Sequence, residues 1–388
     1  MLRRRCFFGY SKENAYICTL ILNGMKNMWM LIFMGLPLLT LAYVGWHFWC
    51  LLPLSALWRA LIICVMVGCF LLTFANFSRS TDGMPMPLAV TCYEVANSSL
   101  IILLYLFMLF LVLDLGRLVR LIPRTLLYNN WTTVIAIVVL MTAVFTYGYL
   151  HYKHKYREEI NLTTKKPMAN PLKLVMMSDL HLGYHNRRAE LHRWVEMINE
   201  EHADAVLIAG DIIDMSIRPL KEEKMFEEFK LLNAPVFACL GNHEYYSGEP
   251  DAQKFYEQAG IHLLQDSATV VGDLCIIGRD DRTNRHRMGL TEIMKQADRT
   301  KFTILLDHQP YHLEQAERQK IDFQFSGHTH HGQVWPISWI TESIYECAFG
   351  PYQKGDTRYY VSSGIGIWGG KFRIGTRSEY AVININNK

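Results

Sequence analysis

The chain has 388 residues, 51% of them hydrophobic and 12% aromatic, with a formal net charge of +3. This composition excludes global disorder and allows a large core, and the length allows two or three domains. Residues 1–152 hold ten Lys/Arg against four acids, net +6, which leaves −3 for residues 153–388. The nine cysteines form no CxxC pair, which excludes a zinc ribbon and a disulfide framework.

Four apolar stretches lie in the first half, at 28–52, 57–74, 98–113 and 131–150. They lack the polar face of a soluble helix and predict an all-α transmembrane region of about four helices within residues 1–151. Pro37 is tolerable in a membrane helix, and Arg59 stands where it can snorkel. Arg117, Arg120 and Arg124 recur at helical spacing among Leu, Val and Ile, which suits a helix at headgroup level or a polar turn between spans. No ionisable pair is evident inside the four stretches, which speaks against a transporter. With four spans, nine Lys/Arg lie on the side of both termini (Arg3, Arg4, Arg5, Lys12, Lys26, Arg79, Lys153, Lys155 and Arg157) and four on the other. That bias predicts a multi-pass protein, of a bacterial inner membrane, with its charged half on the cytoplasmic face. Arg4-Arg5-Cys6-Phe7-Phe8 is similar to a twin-arginine export motif. Lys12, Glu13 and Asn14 interrupt it, so it reads as an uncleaved cytoplasmic tail.

Residues 152–170 are polar and read as a linker, followed by a domain over 171–388. There, short apolar runs at Leu172–Met177, Ala205–Ala209, 235–240, Phe302–Leu306 and Phe323–Ser326 alternate with amphipathic stretches, including predicted helices at 189–201 and 221–232. The alternation predicts an α/β layered fold. Each run ends in a polar cluster: Ser178-Asp-Leu-His181, Gly210-Asp-Ile-Ile-Asp214, Gly241-Asn-His-Glu244, Asp307-His308 and Gly327-His-Thr-His330. Ligands of α/β sheets bind beyond the carboxyl ends of strands, so five segments deliver His, Asp and Asn to one rim. Imidazole mixed with carboxylate suits Mn, Fe or Zn. Glycines 210, 241 and 327 suit sharp turns that offer the next side chain.

The order D-x-H, G-D-x-x-D, G-N-H-E, H, G-H-x-H resembles the calcineurin-like metallophosphoesterase signature over roughly 172–388. Gly327-His-Thr-His-His-Gly-Gln333 and Tyr360-Val-Ser-Ser-Gly-Ile-Gly366 resemble the branch of membrane-linked bacterial phosphoesterases and the transmembrane protein with metallophosphoesterase domain. The resemblance implies a four-layer sandwich, two β-sheets flanked by helices, with two divalent metal ions. It implies that Asp179, His181 and His330 bind one metal and that Asn242, His308 and His328 bind the other. Asp211 would bridge them, and His243 would face the substrate as proton donor. A metal-bridging hydroxide would then attack phosphorus. Asp214 and Glu244 are expected to orient histidines, and Arg373 to face the site. Asp307 and His331 depart from the pattern and are expected to add ionisable groups beside the metals.

The charged loop Arg279–Arg287 reads as solvated or as a phosphate contact, and Trp335, Trp339 and Trp368 as core or as walls of a lipid-accepting groove. The function implied is hydrolysis of a phosphate ester or pyrophosphate, on a lipid-linked substrate such as the lipid A precursor UDP-2,3-diacylglucosamine. The alternatives are a nuclease or nucleotide phosphodiesterase of the same superfamily and a non-catalytic binding module. The net −3 and the lack of a basic stripe disfavour nucleic acid, and the filled ligand positions disfavour a dead module.

Overall fold

The computed structural model describes residues 35–387. It opens with helices α1 (Gly35–Leu51), α2 (Ala56–Phe77), α3 (Met86–Leu118) and α4 (Trp131–Lys153). Three of these, α2 to α4, are long and apolar enough to cross a membrane; α1 is a shorter apolar helix. Residues 28–34 of the first apolar stretch and the twin-arginine segment lie outside the described residues. The stretch 98–113, short as a span, is the apolar centre of a 33-residue helix. At about 1.5 Å per residue, α3 runs to roughly 50 Å, longer than a crossing requires.

The structure takes the second of the two readings at Arg117–Arg124, the turn, and changes one other expectation for this region. First, no continuous helix covers Arg117–Arg124: α3 ends at Leu118, the amides of Leu121 and Ile122 fold back onto the Gly116 carbonyl, and Arg120 takes a φ of 62°. That closure, followed by Pro123, makes the segment a helix stop and a turn. Second, an ionisable pair does exist: the Tyr43 hydroxyl donates to Asp114 at 2.8 Å and His47 Nε2 lies 3.1 Å from the same oxygen. The partners are 67 residues apart in the chain, so no single stretch displays them.

The described residues form two compact units, 35–68 with 100–138, and 69–99 with 139–387. The second is built on two six-stranded sheets. Its strands are β1 (Lys155–Thr164), β2 (Leu172–Met177), β3 (Ala205–Ala209), β4 (Val236–Cys239), β5 (Ile261–Leu263), β6 (Ser267–Val271), β7 (Leu274–Gly278), β8 (Phe302–Leu306), β9 (Phe323–Ser326), β10 (Gly350–Lys354), β11 (Thr357–Val361) and β12 (Ser378–Asn387). The orders are β1-β12-β2-β3-β4-β5 and β10-β11-β9-β8-β7-β6. The inner strands are parallel and apolar on both faces, as parallel strands covered on both sides must be. Along β2 the faces alternate. Leu174 and Met176 meet Ile276, Ile304 and Phe325 of the other sheet, while Val175 and Met177 meet Leu191, Trp194 and Ile198 of helix α5 (Arg188–Asn199). On the far side of the second sheet, Ile277, Leu305 and Val361 pack against Ile293, Leu313 and Ala316 of short helices and loops. The architecture is therefore helix, sheet, sheet, helix.

Residues 152–170 are not a linker. Helix α4 runs to Lys153, and residues 155–164 pair parallel with β12 along their whole length. They look like a linker because β1 is an edge strand, where alternating charge is normal. The expected helix at 221–232 is broken into two short helices, Arg218–Glu222 and Phe226–Phe229.

Glu201 ties this edge down, 2.8 Å from Arg157 of β1, 3.0 Å from Lys173 of β2 and 2.9 Å from the Tyr380 hydroxyl of β12. Burial opposes its ionisation, but hydrogen bonds from Arg157, Lys173 and Tyr380 outweigh burial and hold its pKa down at about 2. A depressed carboxyl stabilises above its unfolded pKa, about 4.3, and that stability fades as pH falls from there through about 2. Glu201→Gln is expected to cost about 1.5–3 kcal/mol at pH 7 and to abolish this share of the acid sensitivity. Urea unfolding at pH 7 and pH 3 measures both; an equal loss at the two pH values would refute the assignment.

Candidate metal centre

The candidate ligands follow the C-terminal ends of strands from both sheets. Asp179 and His181 follow β2, Asp211 follows β3, Asn242 and His243 follow β4, His308 follows β8, and His328 and His330 follow β9. The parallel pairing of these strands within each sheet points all the ends one way. Three overlapping groups result: Asp179, His181 and His330; His181, Asp211 and His243; Asp211, His308 and His328. Within each, the ligand atoms lie within 4.8 Å of one another. His181 Nε2 is 3.0 Å from His330 Nε2, which is 3.4 Å from Asp179 Oδ1. Asp211 Oδ2 is 3.1 Å from His308 Nε2 and 3.7 Å from His181 Nε2, so this carboxylate stands between the two sets. Asn242 starts the helix Asn242–Ser247 with its Oδ1 buried and without a hydrogen-bond partner.

The backbone is bent to make this arrangement. Asp179, His181, Asp211, His328 and His330 all adopt positive φ, between 45° and 71°. Such residues cost free energy and cluster at functional sites. Of the three glycines, Gly210 alone needs the left-handed region, at φ 76°. At Gly241 and Gly327 the constraint is space: an added Cβ would sit 2.2 Å from Asp211 Oδ1 or from Asp179 Oδ2.

Charge and protonation suit cations. His308 Nδ1 lies 2.7 Å from the Ala209 carbonyl, so it donates there and leaves Nε2 towards Asp211. Burial resists charge on His308, but Asp211 raises its pKa well above the usual value. Burial also opposes ionisation of Asp211, yet His308 and His243 hold its carboxyl well below the ordinary range. Asp179 is pushed up by burial. Burial, reinforced by His308, takes His328 down to about 3; burial and His181 take His330 well down. The imidazoles of His328 and His330, held neutral, the buried carboxylates and the lone acceptor of Asn242 form a donor set that fits divalent cations, and His308 would give up its proton on binding one.

Asp214 supports the rim from behind. Its Oδ1 is 3.3 Å from both His181 Nδ1 and His243 Nδ1, and its Oδ2 accepts from the Tyr93 hydroxyl. Hydrogen bonds from the two histidines overcome burial and keep it ionised far below the usual range. His243 is nearly buried, edge-on to His181 at 4.5 Å, with Tyr246 at 5.1 Å and Trp368 at 6.4 Å. Burial lowers its pKa, but Asp211 and Asp214 raise it to about 9.

Four residues take other roles than expected. Glu244 orients no histidine; it accepts from the backbone amides of Asp211, Ile213 and Gly241, at 3.1, 3.0 and 2.7 Å, and so holds two of the ligand loops. Arg373 does not face the site: it is fully buried, donating to the carbonyls of His330 at 2.7 Å and Gly366 at 3.1 Å. Asp307 is neutralised between Arg279 and Arg287, each 3.2 Å away. His331 turns away to stack on Phe349 and meet Glu342 at 3.0 Å. The charged loop is thus largely paired internally, with Arg279, Asp280 and Asp281 buried.

Sequence reasoning missed Tyr93, His185 and Tyr152. Tyr93 lies in α3, in the half read as membrane, and stacks on His185 at 5.1 Å. His185 is buried 3.9 Å from Asp214. Tyr152 of α4 donates to Asn186 at 2.6 Å. The second histidine in His181-Leu-Gly-Tyr-His185 was the one available signal.

Residues 172–332 match the family model described as calcineurin-like phosphoesterase, which takes in every ligand-bearing loop. This segment is a calcineurin-like phosphoesterase domain. The chain is 32% identical over 220 residues to an uncharacterized metallophosphoesterase of Helicobacter pylori strain J99, covering 55% of this chain and 60% of that relative, so it spans less than two thirds of the relative's length. It is 27% identical over 351 residues to the transmembrane protein with metallophosphoesterase domain of Danio rerio, covering 83% of this chain and 79% of the relative. A match of that extent reaches beyond the phosphoesterase domain into the helical first half. Among solved structures, a dimetal phosphatase from Danio rerio matches at 13% identity and a TM-score of 0.35, over 50% of this chain and 88% of that one.

Proposed function

We propose that this protein is a membrane-anchored hydrolase of phosphate esters or diphosphates that uses two divalent cations. The observation that carries the reading is Asp211 standing between two sets of His and Asp ligands, drawn with Asp211 itself from four strand ends. Asp179, His181 and His330 would hold one cation and Asn242, His308 and His328 the other, with Asp211 shared; Mn, Fe and Zn suit these donors. Bound cations would supply Lewis-acid polarisation of phosphoryl oxygens and nucleophilic hydroxide near neutral pH. His243 donates a proton to the leaving oxygen, and Asp214 holds its ring in place. Membrane-capable helices in the same chain support an amphiphilic substrate, with UDP-2,3-diacylglucosamine one compound of that class to assay. The Lys/Arg bias supports a cytoplasmic catalytic domain.

His243→Ala is the test that separates chemistry from binding. Both cations should remain, and turnover should fall by about 100-fold or more. Metal content by mass spectrometry and hydrolysis of a fluorogenic phosphodiester give the two readings. Parallel loss of metal and activity would reassign His243 as a ligand.

A further inference from the structure

We propose that the helix Ile337–Ile344 dips into the lipid headgroup region and rests the phosphoesterase domain on the bilayer beside its own spanning helix. Three large apolar side chains on this helix are exposed, Trp339 at 62%, Ile340 at 56% and Ile344 at 57%. Ile340 and Ile344 are one helical turn apart and share a face, with Trp339 beside them. A soluble domain gains nothing by holding such a cluster in water, whereas an interfacial helix presents Trp and Ile to the acyl boundary.

The position of the cluster picks the bilayer over other partners. Helix α4 is apolar to Leu150, so its Gly148 lies about 3 Å inside the end of the apolar run. The segment Phe372–Ile374 is bonded to α4 at this level. The Arg373 amide donates to the Gly148 carbonyl at 3.0 Å, Phe372 packs edge-on to Phe145 at 4.8 Å, and the Ile374 side chain fills the space where a Cβ on Gly148 would stand. The Trp335 amide donates to the Ile374 carbonyl at 2.7 Å, and the Trp335 and Trp339 rings meet at 5.3 Å. The chain of contacts therefore runs from the end of a membrane-capable helix to the exposed cluster. Tryptophan at that level is an interfacial anchor. At its other end the helix touches the metal centre: Gly332, two residues from His330, packs so closely on Ile337 and Ser338 that a Cβ would lie 2.3 Å from the Ser338 amide. A bilayer-seated helix thus places the candidate centre next to the headgroups. This last step rests on the hydrolase reading; the membrane contact itself does not.

The test uses the full chain in nanodiscs of phosphatidylethanolamine and phosphatidylglycerol. The photo-crosslinking residue p-benzoylphenylalanine replaces Ile340 or, separately, Ile344, and mass spectrometry identifies what each captures. Val139 of α4 is the lipid-facing reference and the exposed Lys295 the aqueous one. Phospholipid adducts at 340 and 344 as at 139, and none at 295, are expected. Capture at 340 and 344 of a second copy, of this chain's own residues or of nothing, with lipid captured at 139, would overturn the proposal. Because the reading is lipid capture, it stands or falls apart from any phosphoesterase assay.

Discussion

Asp211→Ala is expected to release the cations and lower phosphoester hydrolysis on the order of 10³-fold or more, since several kcal/mol of charge stabilisation go with them. Neither neighbouring aspartate can take its place. Asp179 lies on the His330 side, and Asp214 is committed to His181, His243 and Tyr93. The loss also leaves His308 Nε2 facing empty space and the His243 amide without the acceptor it now has at 2.9 Å. That buried amide costs about 1–3 kcal/mol of stability, so the variant should be measured at a temperature where circular dichroism shows it folded. Asp211→Asn, which keeps the size and loses the charge, should resemble Asp211→Ala in metal content and be the more stable of the two. A folded Asp211→Ala protein that still holds two cations per chain would end the shared-ligand assignment.

Tyr93→Phe is expected to lower kcat about 10–100-fold, the usual range for losing a partner that orients a ligand, with little change in KM. The ring and its stack on His185 survive; only the hydroxyl that donates to Asp214 is lost. Asp214 then holds His181 and His243 less firmly, which affects the reaction more than substrate capture. The broader form of this prediction is that a chain starting at residue 155 will not recover full turnover even when saturated with metal. Such a chain lacks Tyr93, the Tyr152 hydroxyl on Asn186, and Asp82, which accepts from Tyr184 and, at 3.0 Å, from Ser216. Steady-state kinetics on full-length, Tyr93→Phe and truncated proteins decide the matter. A folded, truncated protein with the kcat of the full chain would show that the helices only anchor.

The sequence by itself determined the strands that carry the candidate ligands, and in what order. Runs such as Ala205–Ala209 and Phe302–Leu306 are apolar without interruption because both of their faces are covered, and the polar residue after each run marks the strand end. The candidate ligands were legible because strand ends are where a parallel sheet exposes side chains to a ligand. Elements whose burial is one-sided were not legible. Strand β1 carries alternating Lys, Arg and Glu because it lies on an edge, and its partner β12 is more than 200 residues away, so nothing local distinguishes it from a linker. Only the tertiary structure decided the supporting roles. Arg373 looks like a substrate contact until its guanidinium is seen binding carbonyls of its own fold, and Glu244 like a histidine partner until it is found on three amides. Tyr93 is the clearest case. In sequence it belongs to an apolar helix, and it reaches Asp214 across 121 residues because α3 is longer than a membrane crossing needs. Periodicity and composition report how a segment meets its surroundings, apolar or wet. They carry no record of which distant residue supplies a hydrogen bond, because that partner is chosen by the packing of whole elements.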